Sequence, residues 1–337
     1  MTLLAMESFG HAPTGAVTSA DLLSNQWFNA AGGLALSDLT GGRKYIYRTS
    51  AAGNLGLGLP SSSTTIFLGF RLHNLSNANR EYLAMFFDGG SALGLVVKDD
   101  STGKLAYVKG SSYLGTRVLV SSGSTTVGGN DHWTVKVIFD NAAGAVEFYK
   151  NGVLDSSVSG VDTINAGTTC SAVVFFAAYI WYGMMGLSDI WVDSATNHGE
   201  TSVFYRPVDG VGSSADWTPT GAASNWECSD EVPPDDDTTY NASSISGDLD
   251  QLAQPGMDGE VGGVIAVQSH VRVRKEAAAA ATIKVGLLYS GTHSQGAATA
   301  LSTSYEQRTE IFEDVPGGSG WTTAQFDATQ ISYENTT

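Results

Sequence analysis

The sequence predicts an all-β protein built as two sandwiches in series. Forty glycines against eight prolines make the chain turn-dense, which is the cadence of antiparallel sheets. Apolar residues recur at every second position in several short segments, and helix-like composition is confined to Glu276–Ala281. At 337 residues the chain exceeds what one core usually sustains, and roughly 100 to 200 residues per domain gives two.

Strand candidates appear early, at Thr65–Leu72, Tyr82–Phe87, Leu93–Lys98 and Leu105–Val108, separated by Asn, Gly, Asp and Ser clusters. The glycine-rich run Gly53–Gly58 leads into Leu59-Pro60 and serines rather than a helix, and reads as a loop. In Trp133–Phe139 the odd positions Trp133, Val135, Val137 and Phe139 share one face, which is a core face. A turn at Asp140–Gly144 follows, then a strand at Ala145–Lys150, then Asn151-Gly152, a strong hairpin signal because both residues tolerate positive φ. Residues 133–155 therefore predict three successive antiparallel strands, and Ala172–Ile180 with Leu187–Val192 complete the first sandwich. The uncharged run Ala172–Leu187 has 16 residues, short of the roughly 20 needed to span a bilayer.

Composition shifts after Asp193. Residues 196–240 hold Pro207, Pro219, Pro233, Pro234 and three consecutive aspartates, and predict an acidic connector, with Trp217 and Trp226 arguing that part of it packs on a neighbour. The expected organisation is a first sandwich at 1–195, the connector at 196–240, and a smaller sandwich at 241–337. In the latter, Ile265, Val267, Val271 and Val273 alternate with Gln268, His270, Arg272 and Arg274, and Ile283, Val285, Leu287 and Tyr289 repeat the pattern. A helical turn is expected at Trp321–Gln325, capped by Thr322 or Thr323, before a last strand at Gln330–Tyr333.

Acidic residues outnumber basic ones, 34 to 17, for a net charge of −17. Such a chain repels a phosphate backbone, which excludes nucleic acid as an expected partner. Two cysteines, Cys170 and Cys228, are too few for a disulfide framework. Met1–Gly10 lacks the basic and apolar regions of a signal peptide, so synthesis in a cytoplasm is expected.

The stretch Asp131–Val153, DHWTVKVIFDNAAGAVEFYKNGV, resembles the central hairpin of laminin G/concanavalin A-like domains through Trp133, Gly144, Tyr149, Asn151 and Gly152. GLSDIWV at Gly186–Val192 is similar to that family's final strand. The resemblance implies a jelly-roll sandwich over about the first 195 residues. The whole arrangement, with its acidic link at Asp230–Asp237, also resembles structural proteins of tailed bacteriophages. That second likeness implies a virion component, tail-associated or capsid-decorating, made in the host cytoplasm, with other virion proteins and copies of itself as partners and host glycans as a possible contact.

Catalytic chemistry finds little support. The laminarinase-like hydrolases of this fold carry Glu-x-Asp-x-x-Glu, and the nearest strand here offers only Glu147 before Phe148, Tyr149 and Lys150. His11, His73, His132, His198, His270 and His293 are scattered without zinc-ligand spacing. For calcium, Asp235, Asp236 and Asp237, or Asp99 with Asp100, or Asp189 with Asp193, are weak candidates, and an acidic linker explains the first group better. Trp181-Tyr182 offers aromatic rings for a sugar, against core packing as the plainer reading. No catalytic, cofactor or metal residue is assigned, and the expectation is a non-enzymatic structural protein. The competing readings are a bacterial carbohydrate-binding or cell-surface protein and, after it, a glycoside hydrolase. Loops at Asn74–Asn79 and Asp99–Gly103 are the expected outward contacts, and sheet edges without guarding proline or lysine are expected to be covered by neighbours.

Overall fold

The computed structural model describes residues 2–9, 15–16, 27–30, 34–39, 44–48, 54–73, 81–99, 101–110, 118–175, 186–257 and 262–337. They form an all-β protein in which every strand pairing is antiparallel. The chain divides into two compact units, 2–9 with 13–204, and 205–337, apart from a few residues at the start.

In the first unit, a nine-stranded sheet runs Val153–Val161, Gly144–Lys150, His132–Ile138, Thr65–His73, Gly186–Asp193, Lys44–Arg48, Leu34–Asp38 and Gly15–Ala16, with Leu3–Glu7 also paired to Gly186–Asp193. A seven-stranded sheet runs Val118–Thr126, Lys104–Lys109, Ser91–Lys98, Glu81–Asp88, Cys170–Phe175, Leu55–Ser63 and Trp27–Ala30. The alternation expected at Trp133–Phe139 is present: Trp133, Val135, Val137 and Phe139 are all buried. Their neighbours in the core include Leu68, Phe70 and Phe86, and the Phe86 ring meets Phe139 edge-on at 5.4 Å. The Asn151-Gly152 corner closes the hairpin with φ of 49° and 79°.

Two elements differ from expectation. Gly53–Gly58 is a loop by composition, yet Leu55–Ser63 is a strand paired on both sides. Leu55 and Leu57 are fully buried, so period-two leucines outweigh the glycines between them. Glu276–Ala281 has helix-forming composition but holds bends without helix, because six residues cannot offset the cost of helix nucleation without a packed face. The segments Asn74–Asn79 and Trp181-Tyr182, together with His11, Asp100 and residues 176–180, lie outside the described residues.

Two sheet edges lean on each other. The Asp155 carboxylate, on Val153–Val161, accepts from the backbone N–H of Ser124 at 2.6 Å and of Thr125 at 3.1 Å on Val118–Thr126. Backbone donors that would otherwise invite a foreign strand are thereby occupied from within the sandwich.

The second unit centres on a six-stranded sheet in the order Gly210–Ala215, Leu249–Ala253, Gln330–Asn335, Thr282–Tyr289 and Thr292–Gln295, with Thr299–Ala300 beside Thr282–Tyr289. Two ribbons, Val267–Val273 with Glu306–Phe312 and Thr218–Thr220 with Tyr240–Ala242, complete it. Thr322 caps the helical turn Thr323–Asp327 in a capping box with Gln325. Much of the expected connector is built into this unit. Gly210–Ala215 pairs with Leu249–Ala253, and Trp217 and Trp226 pack against Val208, Leu252, Val273, Ile283 and Tyr333. Its anchor is Asp250, fully buried, whose carboxylate accepts from Trp217 N at 2.9 Å, Asn225 Nδ2 at 2.6 Å and Tyr333 OH at 2.8 Å. Among the described residues, no helix is long and apolar enough to cross a membrane.

Candidate functional site

A cleft of about 470 Å³ opens in the second unit. Its walls come from the strands Tyr240–Ala242 and Val267–Val273, the segment that follows the latter to Ile283, and the turn between Glu231 and Thr239. Along Val267–Val273 and just beyond it, Arg272 and Arg274 stand two residues apart, so the pleat puts both guanidinium groups on one face. Each finds a carboxylate from the aspartate triplet. Arg272 forks onto Asp236, with Nη2 donating to Oδ2 at 2.8 Å and Nε donating to Oδ1. Arg274 Nη2 donates to Asp237 Oδ1 at 2.6 Å, and Tyr305 OH donates to the same oxygen at 3.0 Å. Both guanidinium carbons lie over the Tyr305 ring, at 5.2 and 4.9 Å, in cation–π range. Burial, with Asp237 as hydrogen-bond acceptor, pushes the Tyr305 phenol above its ordinary pKa, so it stays a neutral donor.

Asp235 has a different role. Its Oδ1 accepts from Thr239 N at 3.1 Å and Thr239 Oγ1 at 2.9 Å, and Glu231 Oε1 receives the same hydroxyl at 2.5 Å. The three aspartates are therefore not a bare acidic linker: one shapes a turn and two clamp the opposite ribbon. Tyr240, over a third exposed, offers a ring to the cleft. Asn241, also in the lining, donates through Nδ2 to Tyr333 OH at 2.9 Å, while its Oδ1 is enclosed without a partner among the described residues. Cys228 lines the cleft as well, as a buried free thiol that burial pushes to higher pKa. Arg272 and Arg274 were legible as the polar face of a strand, but their partners lie 36 and 37 residues away, beyond any local pattern.

Several other aspartates and histidines have partners within the fold. Asp189 sits fully buried in a bulge of Gly186–Asp193 with φ of 51°. It accepts from Arg71 Nε at 3.2 Å, Ser188 Oγ at 3.1 Å and Val203 N at 2.9 Å. Asp193 accepts from Ala195 N, Thr196 N and His198 Nε2; burial raises its pKa, and these donors outweigh burial to hold it low. Asp99 accepts from Ser101 in a surface turn. His73 shares hydrogen bonds with Ser188 and Asn130, His293 with Gln251. Segment 194–204 is thus drawn over the nine-stranded sheet, with His198 edge-on to Trp191 at 4.9 Å and Glu200 paired to Arg71. Glu147, the lone carboxylate of the strand Gly144–Lys150, is neutralised by Lys136 at 2.7 Å and takes the Tyr149 hydroxyl. Among the described residues, no group of three or more histidine, cysteine or acidic side chains is arranged to hold a metal ion.

No protein-family model and no curated protein matches the chain. Among solved structures, the endo-beta-1,4-glucuronan lyase of the fungus Trichoderma reesei is 12% identical at a TM-score of 0.39, covering 51% of this chain and 92% of that one. A carbohydrate-binding module from Bacillus subtilis is 12% identical at 0.33, covering 51% and 97%. The receptor-binding domain of botulinum neurotoxin type G is 11% identical at 0.33, covering 71% and 72%. These are distant likenesses between β-rich chains, and no residue role passes from them to this protein.

Proposed function

We propose that this chain is a non-enzymatic recognition protein that binds glycans through the cleft of its second unit, and that it works as a structural component of a tailed-phage virion, made in the host cytoplasm. The cleft carries this reading. It combines an exposed ring at Tyr240 with guanidinium and carboxylate groups fixed by one another, the mixture of apolar surface and oriented polar groups that small polar ligands require. The non-enzymatic reading is supported at Glu147, whose charge is answered by Lys136. The virion reading is supported by the resemblance of the two-sandwich arrangement to phage structural proteins, and partners there would be other virion proteins and further copies of the chain.

The test pairs binding with location. The purified full chain is applied to a glycan array, incubated with the glycans it retains, and sought by antibody in phage particles. Retention without chain cleavage of the glycan, and labelling of particles, are expected. Failure to retain any glycan would remove the recognition role. Location on a bacterial envelope instead of a particle would favour the cell-surface reading.

A further inference from the structure

We infer that the ligand of this cleft is an uncharged glycan, read through its neighbouring hydroxyls by the pair Arg272–Asp236 and by Arg274, which Asp237 holds in place from behind the lining. This rests on the reading of the cleft as a glycan site and narrows it. An anionic sugar needs a cation able to turn towards it. Here both guanidinium groups are already paired with carboxylates, Arg272 in a fork on Asp236 and Arg274 with Asp237 at 2.6 Å. The third lining cation, Lys275, donates to Ala279 O at 3.0 Å. Glu231, Asp235 and Glu276 add further negative charge to the lining, on a chain whose net charge is −17. A uronate or sulfate would meet repulsion and would have to displace Asp236 or Asp237.

A hydroxyl group asks for something else. It accepts one hydrogen bond and donates another, and vicinal hydroxyls present such donor–acceptor sets side by side. A guanidinium held against a carboxylate offers the complement, N–H beside oxygen, in one plane and already oriented. The clamp on Tyr305 keeps that plane in place, since its ring lies under both guanidinium carbons and its hydroxyl bonds to Asp237. The apolar face of a sugar ring stacks on Tyr240, the lining aromatic ring that solvent reaches most.

The experiment is calorimetric titration of the full chain with neutral oligosaccharides (malto-, cello- and xylo-series) and with acidic ones (alginate and polygalacturonate fragments), at low and at high sodium chloride. Binding of a neutral series is expected, with affinity changing by less than about twofold across the salt range because no ion pair forms. Arg274→Gln, Asp237→Asn and Tyr240→Ala, at partly or fully exposed positions, should each weaken it by about tenfold while thermal melts stay near the parent's. Binding of acidic fragments alone, falling steeply with salt, would overturn the inference and leave the glycan site standing. Neutral binding untouched by the three variants would overturn it by placing the ligand elsewhere. Binding of neither series would overturn both readings.

Discussion

Tyr333 OH donates to the carboxylate of Asp250 at 2.8 Å, 83 residues earlier in the chain, in the fully enclosed centre of the second unit. No cation accompanies this carboxylate in its three bonds; they come from a backbone N–H, an amide and a phenol. Burial and the neighbouring Asp250 push the phenol well above its ordinary pKa, so it remains a donor at any ordinary pH. Asp250→Ala strands three buried donors and should cost about 3 kcal/mol or more, and Tyr333→Phe about 1 to 2 kcal/mol. Urea denaturation measures both. Limited proteolysis adds a local readout: Gly210–Ala253 should resist cleavage in the parent and be cut in Asp250→Ala.

Gly69 lies beneath the Trp191 indole so closely that a Cβ there would sit 2.0 Å from the ring. Gly69→Ala must displace Trp191 and with it the contact to His198, a cost of about 1 to 3 kcal/mol for overpacking. In a Trp191→Ala background the same change should cost far less, and the difference between the two melts measures the coupling.

His132 is fully buried, stacked near Trp191 at 6.4 Å, and neither ring nitrogen meets a partner among the described residues. Burial, then the Arg71 charge, lowers its pKa from 6.5 to about 4, with Asp189 and Glu200 opposing. The folded value is depressed, so the unfolded chain takes the proton first. Stability from this residue is full above pH 6.5 and is lost as pH falls towards about 4, a change of about 3 kcal/mol. Chemical denaturation at steps across that window should show the slope, and His132→Gln should flatten it.

Gly152 holds φ of 79° at the corner after Asn151. Gly152→Val forces a β-branched side chain into the left-handed region and should cost about 1 to 2 kcal/mol. A thermal melt equal to the parent's would mean that the hairpin does not depend on this corner.

What was legible in the sequence is what local chemistry determines. Trp133, Val135 and Val137 face the core because a strand has period two; Asn151-Gly152 turns because both tolerate positive φ; of the two caps offered, Thr322 and Thr323, Thr322 closes the helical turn. What was illegible is what distance determines. Asp236 and Asp237 look like solvated linker until the fold carries Arg272 and Arg274 opposite them, and Asp250 looks like an ordinary polar strand position until Asn225 and Tyr333 converge on it. Leu55–Ser63 misleads for a related reason: its glycines suggest a loop, while the strands on either side that make it a sheet member come from 27–30 and 170–175.

The strand Leu3–Glu7 runs antiparallel to Gly186–Asp193, with Leu3 opposite Asp193 and Ser194 N bonded to Thr2 O at 2.9 Å. Tension applied between residues 2 and 194 would load these pairs one at a time, as a zipper, instead of shearing the whole ladder together. Pulled between these two points, the first unit would yield at low force, as a compliant joint that leaves the load to other contacts.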